Sequence, residues 1–288
     1  HARSNVPEAC SAQTPNSQGY EARPRYSNNL ALTSKTFTGA GISHTWTYQY
    51  PLATASWRAT CQASGCDTTS ISLMVDPSLN TTRYTFSNQA DATEGKPLKT
   101  EYFQGDTSGT LLRTEVFSYA PFNQGPWPAV YGGGFNVMAN LDRQEGEAPQ
   151  LQKSVTEEGD TYTWQALAFD TYARPSSTHR SSSFGFSVDE KQEYADDTAR
   201  SVIGLPTVHT NLTKNEVVSE IIYDPATLTP QLRKHFGQTV MTYSFNPKGQ
   251  LAAFQDANSN TTHLDNYKLG VPQTITFCEF QKLEEAAD

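Results

Sequence analysis

Asp76-Pro77-Ser78-Leu79-Asn80-Thr81-Thr82-Arg83-Tyr84 and Asp256-Ala257-Asn258-Ser259-Asn260-Thr261-Thr262-His263-Leu264 carry Asp, Asn, Thr and Thr at the same offsets. An apolar run precedes each copy, Ser70-Ile71-Ser72-Leu73-Met74-Val75 in the first and Gln250 to Gln255 in the second. Asp and Asn tolerate tight turns and hydrogen-bond their own backbone, and the Thr pair then opens a return strand. The unit is strand, turn, strand. A hairpin that recurs is the mark of an array that grows by stacking units.

The same grammar extends outward. Thr45-Trp46-Thr47-Tyr48-Gln49-Tyr50 alternates aromatic and polar residues, the period of a strand with one buried face. Leu111 to Tyr119, Thr161 to Leu167, Ser183 to Val188, Val217 to Tyr223, Thr239 to Phe245, Thr261 to Tyr267 and Thr274 to Phe277 read as further strands. Breaks rich in Gly, Pro, Asn and Asp separate them, which predicts an all-β fold. One helical turn or two is expected over Asp196 to Ile203, capped by the Asp pair and stopped by Gly204 and Pro206. Residues 1–30 read as an irregular arm, 31–120 as a first hairpin region and 121–150 as a Pro/Gly-rich loop. Residues 151–277 form a second hairpin region, and 278–288 an acidic tail.

Composition agrees with sheets. Of 288 residues, 36% are hydrophobic, yet 14 Tyr, 14 Phe and 4 Trp are present. Aromatic residues fit a pleated, half-exposed surface, and a low apolar fraction suggests one dry and one wet face. The net charge of −9 argues against nucleic acid and anionic membrane surfaces as partners. No stretch approaches the ~20 apolar residues that span a bilayer.

Of the four cysteines, Cys61 and Cys66 flank the turn-like Gln62-Ala63-Ser64-Gly65, so a hairpin-tip disulfide is a candidate. Cys10 and Cys278 lie near opposite ends. No second Cys or His pair stands at zinc-finger spacing. His1, His44, His179, His209, His235 and His263 are scattered, with no His-Glu-x-x-His and no Gly-x-Ser-x-Gly among them. Asp256-Ala257-Asn258-Ser259-Asn260 opens like a calcium loop, but Thr261 replaces the sixth-position Gly and Tyr267 the twelfth-position Glu. No catalytic residue, metal or cofactor is expected.

Tyr243-Ser244-Phe245-Asn246-Pro247-Lys248-Gly249-Gln250-Leu251, followed by Asp256 to Leu264, resembles the YD repeat of RHS proteins. That repeat reads roughly Tyr-x-Tyr-Asp-x-x-Gly-Arg-Leu, a spacer, then Asp-x-x-Gly-Asn-x-Thr-x-Tyr. The likeness assigns repeat positions to Tyr243, Phe245, Gly249, Asp256, Asn260 and Thr262, and to Asp76, Asn80, Thr82 and Tyr84 in the other copy. Tyr194, Asp196 to Arg200 and Gly204 to Pro206 are similar to a linking segment of the same proteins. Here Phe245-Asn246 replaces Tyr-Asp, Gln250 replaces Arg, and Leu79 and Ser259 replace the turn Gly. Such residues take φ > 0 at a cost.

The resemblance implies an antiparallel hairpin array of YD-repeat type, with a curved or shell-like sheet. The implied role is a non-catalytic segment of a bacterial shell that encloses or scaffolds a toxin or effector. Its partners would be further RHS repeats or the enclosed domain, in a secreted or cell-surface setting. Open strand edges also predict self-association. Two alternatives come from the residues themselves. One is a carbohydrate- or protein-binding β module in which Trp46, Trp57, Trp127, Trp164 and the tyrosines face a surface glycan. The other is a β-sheet glycoside hydrolase with paired carboxylates.

Overall fold

A computed structural model describes residues 2–5, 26–29, 31–51, 67–88, 92–93, 95–121, 124–128 and 147–277. All described regular structure is β, in two compact units, His1–Ser187 and Val188–Asp288. Among the described residues no helix is long and apolar enough to cross a membrane.

In the first unit, β1 (Ala2–Asn5) pairs antiparallel with β2 (Tyr26–Asn29), two short strands within the stretch expected to be an irregular arm. A meander follows: β3 (Ser34–Gly39), β4 (Ile42–Gln49), β5 (Thr69–Val75), β6 (Thr81–Ser87), β7 (Pro97–Gln104), β8 (Thr110–Tyr119), β9 (Gln150–Glu157), β10 (Asp160–Phe169) and β11 (Pro175–Ser182). Each strand pairs antiparallel with the next. The second unit repeats the plan with β12 (Ser187–Asp197), β13 (Val202–Asn211), β14 (Glu216–Tyr223), β15 (Pro230–His235), β16 (Gln238–Phe245), β17 (Leu251–Asp256), β18 (Thr261–Asp265) and β19 (Thr274–Thr276). The fold is therefore the expected antiparallel hairpin array.

Two local expectations are corrected. Asp196–Ile203 is not helical. The Asp pair closes β12, and residues 198–201 turn into β13, with Ser201 at φ 56° and Arg200 bonded back to Asp197. The Asp side chains cap a turn instead of a helix, by the same local hydrogen bonding that makes Asp ambiguous in sequence. Ser183–Val188 is not a strand throughout. Gly185 sits at φ 82°, and the Ser182 amide bonds the Phe186 carbonyl at 2.9 Å, so the chain reverses there and β12 begins at Ser187.

The sheets have no clean dry face. Only Phe103, Ala120, Trp127, Ala148, Ala166 and Ala253 are buried hydrophobics among the described residues, while Thr81, Thr82, Ser87, Thr100, Glu101 and Glu115 are buried polar ones. On β14 six consecutive residues are half-buried, with no alternation. Trp127, in the Pro/Gly-rich segment, packs against β10. Trp127 stands edge-on to Phe169, ring centroids 5.3 Å apart, and donates from its indole to the Glu147 carbonyl at 3.2 Å. Gly125 permits this approach, because a Cβ there would lie 1.9 Å from the Trp127 ring.

Candidate functional site

The repeat residues gather at hairpin turns. Between β5 and β6, Asp76 Oδ1 accepts the amides of Ser78 at 2.8 Å and Asn80 at 2.9 Å, while Asn80 Nδ2 donates to Asp76 Oδ2 at 3.4 Å. The main chain closes the loop: the Leu79 amide donates to the Asp76 carbonyl, and the Asp76 amide to the Asn80 carbonyl, both at 2.9 Å. Leu79 takes φ 66°.

The turn between β17 and β18 has the same bonds. Asp256 Oδ1 accepts from Asn258 at 2.8 Å and Asn260 at 2.9 Å, Asn260 Nδ2 reaches Oδ2 at 3.0 Å, and Ser259 takes φ 67°. These bonds, first that from the Asn260 side chain, hold the Asp256 carboxyl below its usual range. Between β16 and β17, Asn246 plays the first residue. Its Oδ1 accepts from Lys248 and Gln250 at 3.0 Å, its Nδ2 donates to Gln250 Oε1 at 2.9 Å, and Gly249 takes φ 75°. The backbone stays left-handed at the fourth residue whether Leu, Ser or Gly stands there.

A fourth copy was not singled out in the sequence. In Phe169-Asp170-Thr171-Tyr172-Ala173-Arg174, Asp170 Oδ1 accepts from Tyr172 at 2.9 Å and Arg174 at 3.0 Å, and Ala173 takes φ 60°. Arg174 Nε donates to Asp170 Oδ2 at 2.7 Å, where the other Asp-led copies use Asn. The available signal was an aromatic-Asp pair with Arg four residues on. Tyr223-Asp224 leads a version one residue longer, in which Asp224 Oδ1 accepts the amides of Ala226 and Thr227 at 2.8 Å and Leu228 takes φ 59°.

The remaining repeat positions lie on strands. Thr82 is buried in β6 between its cross-strand partners Met74 and Tyr102, and Tyr84 faces Ser72 and Thr100. Tyr243, Phe254 and Thr262 form one row across β16, β17 and β18, and Phe245 pairs with Leu251. Cys61, Cys66, Cys10 and Cys278 lie outside the described residues, as does Trp57.

Neighbouring turns are also tied to one another. The Gly105 amide donates to Asn80 Oδ1 at 3.2 Å, and Ser183 Oγ donates to Asp160 Oδ1 at 3.0 Å. Arg200 donates to the Pro225 carbonyl at 3.0 Å and to the Ala226 carbonyl at 2.5 Å.

Among the described residues of the first unit two carboxylates are buried, and each is clasped by two cations. Glu101 receives Arg83 Nη2 and Lys99 Nζ, both at 2.7 Å, and Glu115 receives Lys153 Nζ at 2.9 Å together with Arg113. Desolvation pushes both carboxyls up. The hydrogen bonds from Lys99 and Arg83 on one, and from Lys153 on the other, outweigh it and hold both below the usual range. Register places them apart: Glu101 pairs with Thr114 and Glu115 with Thr100, so they point to opposite faces of the sheet. Side chains on opposite faces cannot flank one glycosidic bond. Among the described residues, no group of three or more His, Cys, Asp or Glu is placed to hold a metal ion.

No family model matches the chain, and no curated protein matches it. Among solved structures, a chain of the TcdB2-TccC3-Cdc42 crystal structure aligns with 84% of this chain and 13% of its own, at 10% identity and TM-score 0.37. A chain of TcdB2-TccC3-TEV aligns over the same shares at 9% identity and TM-score 0.36. A porin-like protein from Bacteroides uniformis aligns over 85% of this chain and 82% of its own, at 12% identity and TM-score 0.31. The chain spans 13% of the length of the first two.

Proposed function

We propose that this chain is a structural segment of an RHS/YD-repeat-type shell, which encloses or scaffolds a toxin or effector polypeptide and performs no chemistry itself. The observation that carries the reading is the five-residue turn led by Asp or Asn. It recurs at Asp76, Asp170, Asn246 and Asp256 with the same side-chain and main-chain bonds. A turn rebuilt with different residues at its fourth and fifth positions is a repeat defined by geometry, as expected of an array whose units contact their neighbours. The scarcity of buried apolar side chains supports the same reading, because a thin sheet that works as a wall needs no thick core of its own. The partners would be further hairpins of the same kind or the enclosed polypeptide, outside a bacterial cell.

Small-angle scattering tests this. A solid globule of this length has a radius of gyration of about 19 Å. The shell reading expects a clearly larger value with well-formed β circular dichroism. A value near that of a solid globule, unchanged across a dilution series, would sink it.

A further inference from the structure

Register in the first unit lines up a second group of side chains that the turns do not use. Tyr48, Met74, Thr82, Tyr102 and Arg113 are successive cross-strand partners from β4 to β8, so they form one row on one face. The adjacent row on that face holds Ser72, Tyr84, Thr100 and Glu115. Three phenols, from Tyr48, Tyr84 and Tyr102, thus share a patch with a paired Arg113 and Glu115.

Four tyrosines elsewhere commit their hydroxyls to the main chain. Tyr50 donates to the Leu32 carbonyl, Tyr119 to Pro97, Tyr223 to Pro206 and Tyr267 to Leu251. Among the described residues the hydroxyls of Tyr48, Tyr84 and Tyr102 have no such partner. Burial first, then Tyr102, Tyr48 and Glu115, push the Tyr84 hydroxyl above its usual range, so it keeps its proton and remains a donor. The two cations nearby are already engaged by one carboxylate. Arg113 and Lys153 both bind Glu115, and the Arg113 guanidinium stands 5.5 Å from the Tyr102 ring centroid.

We propose that this patch of Tyr48, Tyr84 and Tyr102 binds a neutral oligosaccharide. A sugar ring offers an apolar C–H face and a rim of hydroxyls that both donate and accept. A phenol offers the complement, an apolar ring with one O–H that does both. Three phenols with uncommitted hydroxyls on one face of β4, β6 and β7 match such a ligand. A free anion would have to compete with Glu115 for Arg113 and Lys153, and an apolar ligand would leave three hydroxyls without partners.

Isothermal titration of the full chain with the hexasaccharides of β1,4-glucose, β1,4-N-acetylglucosamine and α1,4-glucose tests the assignment, with dextran sulfate as the anionic probe. At least one neutral hexasaccharide should bind. Tyr48→Phe and Tyr84→Phe should each weaken it by about three- to tenfold, the worth of one hydrogen bond. Tyr243→Phe, in the second unit, should leave affinity unchanged, and circular dichroism checks that all variants fold alike. Binding of dextran sulfate alone, no heat with any neutral hexasaccharide, or affinity indifferent to both phenol-to-phenyl changes would overturn the proposal. The shell reading stands or falls on scattering and is untouched by any of these outcomes.

Discussion

Arg174 donates through Nε to Asp170 Oδ2 at 2.7 Å, in the place where Asn260 donates through Nδ2 to Asp256 Oδ2 at 3.0 Å. A guanidinium and a carboxamide thus do the same job in two turns, that of tying the fifth residue back to the first. The Arg version is also an ion pair, with both side chains about four-fifths shielded from solvent. Charge-assisted bonds of this kind are the stronger ones.

Asp170→Ala should therefore destabilise the first unit by about 1–2 kcal/mol, since it removes two amide acceptors and the Arg174 partner together. Asp170→Asn keeps the amide acceptor and should cost less. Urea titration followed by circular dichroism separates the two. Equal stability of Asp170→Ala and the parent chain would show that the turn is held by its main chain alone.

Leu79 and Ser259 occupy the left-handed position that Gly249 fills in a third copy. The left-handed backbone costs an ordinary residue roughly 1–2 kcal/mol, and Gly returns about half of that through its extra unfolded freedom. Leu79 is 73% exposed, so its side chain is lost at small cost. Leu79→Gly and Ser259→Gly should each raise stability by about 0.5–1 kcal/mol. A thermal midpoint that falls with either variant would refute the assignment of strain to that residue.

Acid should weaken the first unit through Glu101 and Glu115. Both carboxyls are held below their unfolded values, so their contribution is complete above the ordinary carboxylate range. It is lost as pH falls through the lowered folded values. Melts between pH 7 and pH 3 should show stability falling on the acid side. Glu101→Gln should flatten that fall while lowering stability at pH 7, because Arg83 and Lys99 then face an uncharged amide. The same slope with and without the carboxyl would count against this.

Gly125→Ala should expel Trp127 from its contact with Phe169, since the added Cβ would overlap the indole. The cost should approach that of removing a packed Trp, about 3–5 kcal/mol. Trp127→Ala should be similarly damaging, and in Gly125→Ala the tryptophan emission should shift to the red. An unshifted spectrum with unchanged stability would mean that the loop rearranges freely around the new methyl group.

Much of the sheet was legible because β5, β10, β14 and β16 alternate or run apolar between clear turn residues. The turn led by Asp256 was legible because its Asn and Thr residues echo those after Asp76. The Asp170 copy escaped because Arg174-Pro175-Ser176 stands where the Asp76 and Asp256 copies share Asn-Thr-Thr, although the backbone is the same. β7 opens on Pro97 and β13 carries Pro206, residues that discourage a strand assignment, yet both strands form with register shifts beside Phe86 and Tyr194. The pairing of Arg113 and Lys153 on Glu115 could not be read at all, because it depends on register across β8 and β9.

Within each unit, every described pairing from β3 to β11 and from β12 to β19 joins strands that are adjacent in the chain. Such a chain needs no distant closure before it can begin to order. Each hairpin can set soon after it leaves the ribosome, using only what has already been made. The same connectivity imposes a parity on growth. One strand inserted between β13 and β14 would move every later turn to the opposite rim and separate Arg200 from the loop it holds. A pair of strands leaves the rims as they were, so a lineage of such chains can lengthen or shorten only in steps of two.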